Sequence, residues 1–469
     1  MDLNRGDEIP ARPIRLRFGL AALLLAAIFV LVAMTLYQGV GQVKNSKQAE
    51  RSSFRIWPSD PPKDCPFPKS TVITGIALTG RYKDYDDPGH IPAGADTWFP
   101  TWASNGNLYS PYADGWVGNV RVGGMGPKST EGAAKIIGDD PMDLRVVPRS
   151  PYRVSSPPDE GRYPSASLVY NGIWYYGTYM VQVLEDKEYN CWWCVVGPFV
   201  GFGVSRDYGR TWEDTKLTPA NNLFQETTKN GRRVKMGMTR FVDLGKNMEY
   251  SPDGYAYLVA DGALTPGTPA GQALLNAPTW GKYNHALFKG DMFYLARTKP
   301  SPETINEESA WEFYGGKDAH DKDVWTKNFA AIKPLFEWAG HCGGVQVTYD
   351  APLKKYLWFV NDPLEGTGGF MPGEYPVPYN TYVLESDRLT GPWKLVTYLR
   401  MFGEEAYWVN IPSKFISADG RTAWLVYSAN WAGKRIPEDP LGSKYALCLH
   451  EIRLLSQDSD VVSSGGKGQ

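Results

Sequence analysis

The chain turns back on itself at regular intervals. Asp96 to Gly115 holds two aromatic-rich runs around Ser104-Asn105-Gly106, and Tyr163 to Val181 holds two more around Asn171-Gly172. Asn-Gly is the strongest short-range hairpin signal, because a tight two-residue turn needs positive φ at both central positions. Further pairs follow: Lys235–Asp243 with Tyr255–Gly262, Gly343–Tyr349 with Tyr356–Asp362, and Trp408–Ile416 with Thr422–Ser428. Two of these turn at Ser251-Pro252-Asp253-Gly254 and Ser417-Ala418-Asp419-Gly420. Hairpin sets recurring every 40–50 residues or so, about five in all, predict a radial array, the β-propeller. The β-branched run Ser70–Tyr82 is left over. It predicts a strand that joins the last blade and closes the ring.

Composition agrees. With 17 Trp, 28 Tyr and 18 Phe beside 49 Gly and 36 Pro, the chain is rich in residues that favour pleated surfaces and turns. A formal net charge of −2 and no basic stripe exclude a nucleic-acid partner of the usual electrostatic kind.

Phe18 to Tyr37 is uncharged and apolar. About 20 such residues span a bilayer core, and the run is longer than the ~7–15 residues of a cleavable signal. Arg12, Arg15 and Arg17 crowd its N-terminal flank, which favours a cytoplasmic N-terminus. The expected organisation is a tail over 1–17, a transmembrane signal anchor over 18–37, a Pro-rich stalk over 38–69, an extracytoplasmic five-bladed propeller over 70–456 and a Ser/Gly tail over 457–469. The fold class is thus all-β, preceded by one transmembrane helix. Of the five cysteines, Cys191 and Cys194 stand in Cys-x-x-Cys spacing. Without a second such pair a zinc site is disfavoured, and a local disulfide is the expectation.

Ser205-Arg206-Asp207-Tyr208-Gly209-Arg210-Thr211-Trp212 fits Ser-x-Asp-x-Gly-x-x-Trp, the Asp-box of sialidase-type propellers, and Ser386–Trp393 ends in Gly391-Pro392-Trp393. With these turns the chain from Asp96 to about Arg453 resembles the five-bladed propeller glycosidases. These include glycoside hydrolase family 43, its arabinanase relatives and the domain-of-unknown-function family 4185. The resemblance implies an acid at the start of blade one, which Asp96 supplies. The second and third acids of family 43 have no match, since those hairpins begin with Arg162-Tyr163 and Thr239-Arg240.

In a propeller, the starts of the inner strands and the ends of their partners open onto one mouth of the channel. That rule gathers Asp96, Asp114, Arg162, Arg240, Asp261, His341, Asn361, Asp362, Glu404, Glu405, Asn410 and Asn430, with Trp98, Trp408 and Trp431 near. Glycoside hydrolysis needs two carboxyls, one protonated and one ionised. Asp96 is the expected base or nucleophile, Asp261 or Glu405 the acid, and Asp114 the neighbour that tunes Asp96. Trp98, Arg162, Arg240, His341, Asn361, Asn410 and Trp431 are the expected substrate contacts, since rings suit sugar faces and Arg or Asn suits hydroxyls. No cofactor or metal ligand set is expected, with calcium in the channel left open. The partner is a polysaccharide or oligosaccharide, with the membrane reached through the N-terminal helix. The same ring of residues also suits a non-catalytic propeller that binds glycan or protein.

Overall fold

The computed structural model describes residues 54–57, 60–86, 93–123, 129–153, 161–181, 183–186, 191–195, 198–226, 235–262, 290–363, 379–403, 405–430 and 437–457. The apolar run 18–37 and the site residues Glu404 and Trp431 lie outside them. No helix among the described residues is long and apolar enough to cross a membrane. All strands fall within the unit Arg55–Gln469.

Five antiparallel blades form a propeller. In chain order, β1 (Arg55–Ile56) and β2 (Gly75–Asp84) precede the first complete blade. Blade one holds β3 (Ala93–Asp96), β4 (Thr101–Trp102), β5 (Leu108–Val117), β6 (Val120–Val122), β7 (Thr130–Ile137), β8 (Arg145–Pro148) and β9 (Tyr152–Arg153). Blade two pairs β10 (Gly161–Tyr170) and β11 (Ile173–Val181), passes through a side hairpin of β12 (Val183–Asp186) and β13 (Cys191–Val195), and adds β14 (Phe199–Ser205). Cys191 and Cys194 thus sit on a strand, and their side chains lie outside the description.

Blade three runs β15 (Thr239–Phe241), β16 (Ala256–Gly262), β17 (Gly290–Thr298), β18 (Trp311–Lys317) and β19 (Asp323–Thr326), with β20 (Pro334–Cys342) also on β17. Blade four is β21 (Val345–Asp350), β22 (Lys355–Pro363), β23 (Tyr379–Ser386) and β24 (Lys394–Leu399). Blade five is β25 (Tyr407–Asn410), β26 (Thr422–Ser428) and β27 (Cys448–Leu455), completed by β2 and β1. The early strand closes the ring as expected, pairing Gly75 with Leu455 and Asp84 with Cys448.

Alternation of apolar residues gives each blade two buried faces, so the core is a set of wedges between blades. Phe202, Leu258 and Trp311 fill one; Val345, Trp358 and Phe293 another; Leu425, Val383 and Ile452 a third; Tyr112, Leu449 and Trp424 a fourth; Tyr109, Trp174 and Tyr176 a fifth. The Ser205–Trp212 turn lies on the outer hairpin of blade two. Ser205 Oγ accepts from Gly209 N at 2.7 Å, Asp207 accepts from Arg210 N and Thr211 N, and the Trp212 ring meets Trp174 edge-on.

Two local expectations change. At Asn171-Gly172 both residues have positive φ and Tyr170 pairs with Ile173, the two-residue hairpin predicted. At Asn105-Gly106 only Gly106 does, and Ala103 N and Gly106 N close a wider turn. Residues 60–69, read as stalk, lie on blades three and four. Phe67 packs on Phe336 and Trp338, and Pro68 O and Ser70 N bond the backbone of Leu395.

Candidate functional site

Asp96 and Asp114 do not flank their hairpin; they interrupt it. β3 ends at Asp96, Thr97 follows with φ of 61°, and the inner strand resumes as β4. On β5, Asp96 faces Ala113 but Gly94 faces Trp116, so three residues on β5 span two on β3. Asp114, with φ of 44°, is the extra residue of a β-bulge. Positive φ outside glycine recurs around this mouth at Glu405, Trp408 and Asn430. Such backbone is costly and concentrates at functional sites.

The bulge leaves the two acids in unequal surroundings. Asp96 is 8% exposed, accepts from Tyr407 Oη and Thr97 Oγ1, and is also bonded by Tyr445. Burial, then the charge of Asp114, pushes its carboxyl up to about 8, against the pull of those hydroxyls. Asp114 is half-buried and bonded by Tyr163, while Tyr445 Oη donates to its carbonyl at 2.8 Å.

A third acid escaped the sequence reading. Gly132 on β7 pairs with Tyr112, so Glu131 falls opposite Ala113, in one cross-strand row with Asp96. It is fully buried, and neither carboxylate oxygen has a hydrogen-bond partner among the described residues. Burial, then Asp114 and Asp96, hold its carboxyl well above the usual range. Only the register reveals it: Ser129-Thr130-Glu131-Gly132 reads as an ordinary strand start.

The other predicted residues divide into three groups. On the axis, Arg240 is 1% exposed, with its guanidinium 3.4 Å above the Phe99 ring and 5.4 Å from that of Trp408. It donates to Thr239 O, and burial lowers its pKa to about 9, partly offset by Tyr179 and Asp261. Asp261 is buried beside it, accepting from Met238 N at 3.2 Å, and burial raises its carboxyl well above the usual range. Phe99, Met238, Tyr163, Tyr179, Tyr407 and Trp408 form the apolar plug around this arginine. Against the plug lies a cavity of about 20 Å³ lined by Phe99, Arg240, Asp243 and Gln346, with room for a water molecule.

A second group lies toward blade four. His341 Nδ1 is 2.8 Å from Asp362, its ring stacks on Trp338 at 4.2 Å, and its Nε2 is 3.7 Å from Asp64. Asn361 Oδ1 accepts from Trp408 N at 3.2 Å, fixing that residue's strained backbone. Glu405 is buried near Tyr379. The third group supports the site from below. Asn410 Nδ2 donates to the carbonyls of Trp98, Trp408 and Val426, and the Trp98 ring stacks on Tyr112 in the core. Arg162 is buried on β10, next to Tyr163. Among the described residues no three His, Cys, Asp or Glu side chains are placed to hold a metal.

What the structure brings together is therefore Asp96 and Asp114, with Glu131 behind them. The largest charge acting on Asp96 is Asp114, whereas Asp261 answers to Arg240.

No protein-family profile matches the chain, and no curated protein matches it in sequence. Among solved structures it is similar to a putative hydrolase from Bacteroides ovatus, at 12% identity over 89% of this chain and 99% of that one, with a TM-score of 0.42. It is also similar to RS223 β-xylosidase, at 13% identity over 81% and 96% with a TM-score of 0.39. A family-32 β-fructofuranosidase of Bombyx mori gives 13% identity over 78% and 62%, with a TM-score of 0.41. Likenesses at this level carry no inference about residues or reaction.

Proposed function

We propose that this chain is a glycoside hydrolase acting on a polysaccharide, with Asp96 and Asp114 as its carboxyl pair. The observation that carries the reading is their asymmetry. One acid is buried, hydrogen-bonded and held protonated to about pH 8; the other stands half-exposed on a strained bulge. Environments that split two carboxyls are how one site supplies both an acid and a base. The roles follow from burial. Asp96 donates the proton to the leaving oxygen, and ionised Asp114 serves as base or nucleophile, the reverse of the assignment that chain position alone suggests. Arabinan-like polymers are the substrate class implied by the resemblance of the sequence to propeller glycosidases. The apolar run Phe18–Tyr37 is read as a single-pass anchor that keeps the propeller on the extracytoplasmic side.

The test is a hydrolysis screen of the full chain on arabinans, xylans and mixed envelope glycans, with Asp96→Asn and Asp114→Asn alongside. Reducing ends should appear with the wild type and fall about 10²–10⁴-fold in either variant, the usual worth of a general acid or base. Full activity in Asp96→Asn would overturn the assignment. Glycan binding with no hydrolysis would establish the non-catalytic propeller instead.

A further inference from the structure

We infer that Trp116 is the floor of a sugar-binding subsite, on which one ring of the glycan stacks immediately outward of the acid pair. The inference rests on the glycosidase reading for its polymer and on separate observations for its place.

The bulge at Asp114 resets the alternation of β5. Before it, Leu108 and Tyr112 point into the wedge shared with blade five; after it, Val117 does. Ala113 and Trp116 therefore lie on the opposite face, the one that carries Asp96 and Glu131. β5 outruns the blade at this point. Its last residues pair with β6 across the turn Gly118-Asn119, with Gly118 at φ of 56°, so Trp116 sits on a projecting hairpin.

A single exposed apolar residue is ordinary. This one is distinguished by company. It is 46% exposed, and no other tryptophan is among the exposed large apolar side chains described. Its cross-strand neighbours are Gly94, which puts no side chain over the ring, and exposed Arg121. A Cβ on Gly94 would lie 3.6 Å from the indole nitrogen and 3.3 Å from Asp86 Oδ1. An open indole with an arginine paired across the hairpin and a carboxylate beside its glycine neighbour matches a sugar, whose C–H face wants an aromatic surface and whose rim hydroxyls want charged hydrogen-bond partners.

The experiment titrates the full chain with arabino- and xylo-oligosaccharides of two to six sugars, following tryptophan emission and hydrolysis in parallel. Wild type is compared with Trp116→Ala and Trp116→Phe, after melting curves show all three equally folded. Trp116→Ala should weaken binding and raise KM about tenfold, more than it lowers kcat, while Trp116→Phe recovers most of the loss. Unchanged affinity and KM in Trp116→Ala would overturn the subsite, and would leave the glycosidase reading standing if hydrolysis persists. Binding that depends on Trp116 without hydrolysis in any arm would uphold the subsite and remove the glycosidase. An emission that no oligosaccharide alters overturns the subsite as well.

Discussion

At the scale of the residue, protonation is the property that can be tested most directly. Asp96 has its carboxyl raised to about 8, so between the ordinary carboxylate range and pH 8 the folded chain holds a proton that the unfolded chain releases. The sign follows. The stability this proton represents is complete below about pH 4 and is lost as pH rises through about 8. Activity that needs protonated Asp96 falls over the same upper limb. Glu131 adds to the stability effect, since its fully buried carboxyl, without a partner among the described residues, is raised in the same direction. Glu131→Gln keeps the shape and removes the titrating carboxyl. It should flatten the loss of stability above pH 7, raising Tm there by about 2 °C, roughly 1 kcal/mol for a domain of this size. The alkaline limb of the kcat/KM profile, set by Asp96 beside Asp114, should stay in place, because burial, Asp114 and Asp96 hold the Glu131 carboxyl itself protonated. Melting and pH-rate curves of the variant check this; a limb moved to lower pH would show that Glu131 is ionised and acts on Asp96 directly. Asp96 and Asp114 could be read from the chain because each stands at the end of an aromatic run. Glu131 could not, because its significance comes from the pairing of Gly132 with Tyr112, which no local signal announces.

At the scale of the element, turn chemistry was legible except at Asn105-Gly106, and strand interruption was not. The Ser205–Trp212 turn follows from its residues. Asp207 accepts from Arg210 N, Thr211 N and Thr211 Oγ1, so its geometry is self-contained. Asp207→Ala leaves those donors facing solvent and loosens Trp212 from Trp174. A cost of about 1–2 kcal/mol is expected, that of losing a capping carboxylate, read as a lower urea midpoint with an unchanged m value. Activity should hold at saturating substrate, because the turn lies on the outer edge of blade two. By contrast, the bulge at Asp114 and the break after Asp96 contain no glycine or proline at the strained positions themselves. Thr97 and Trp408 adopt positive φ although β-branched and bulky residues avoid it. Tertiary contacts impose those conformations: Tyr407 on Asp96, Asn361 on Trp408 N and Asn410 on three carbonyls. Local propensity predicts regular strands there, and the fold overrides it at the place where the acids sit.

At the scale of the molecule, the ring is held by one closure. β2 comes from before blade one and completes blade five, so it and the last strand, β27, share seven paired positions from Gly75–Leu455 to Asp84–Cys448. The sequence allowed this to be foreseen, because Ser70–Tyr82 is a β-branched strand with no hairpin partner of its own. The energetics make the closure decisive. Ile73, Ile76 and Leu78 are buried against blade five, and each is worth about 1.5–3 kcal/mol, or roughly 5–9 kcal/mol together. That equals much of the about 5–15 kcal/mol by which a native protein exceeds its unfolded state. It also leaves β27 without an edge for water or another chain to claim. A chain beginning at Asp86 should therefore lose cooperative melting and become protease-sensitive at blade five, whereas one beginning at Phe54 melts cooperatively and resists protease. The comparison also bears on the site. Tyr407 and Tyr445 belong to blade five and hold Asp96, so loosening that blade should lower the carboxyl's hydrogen bonding before blade one itself unfolds. Supplying Ser70–Asp86 as a separate peptide should restore part of the melting transition and, with it, hydrolysis; a chain beginning at Asp86 that melts cooperatively without the peptide would show that blade five stands without its borrowed strand.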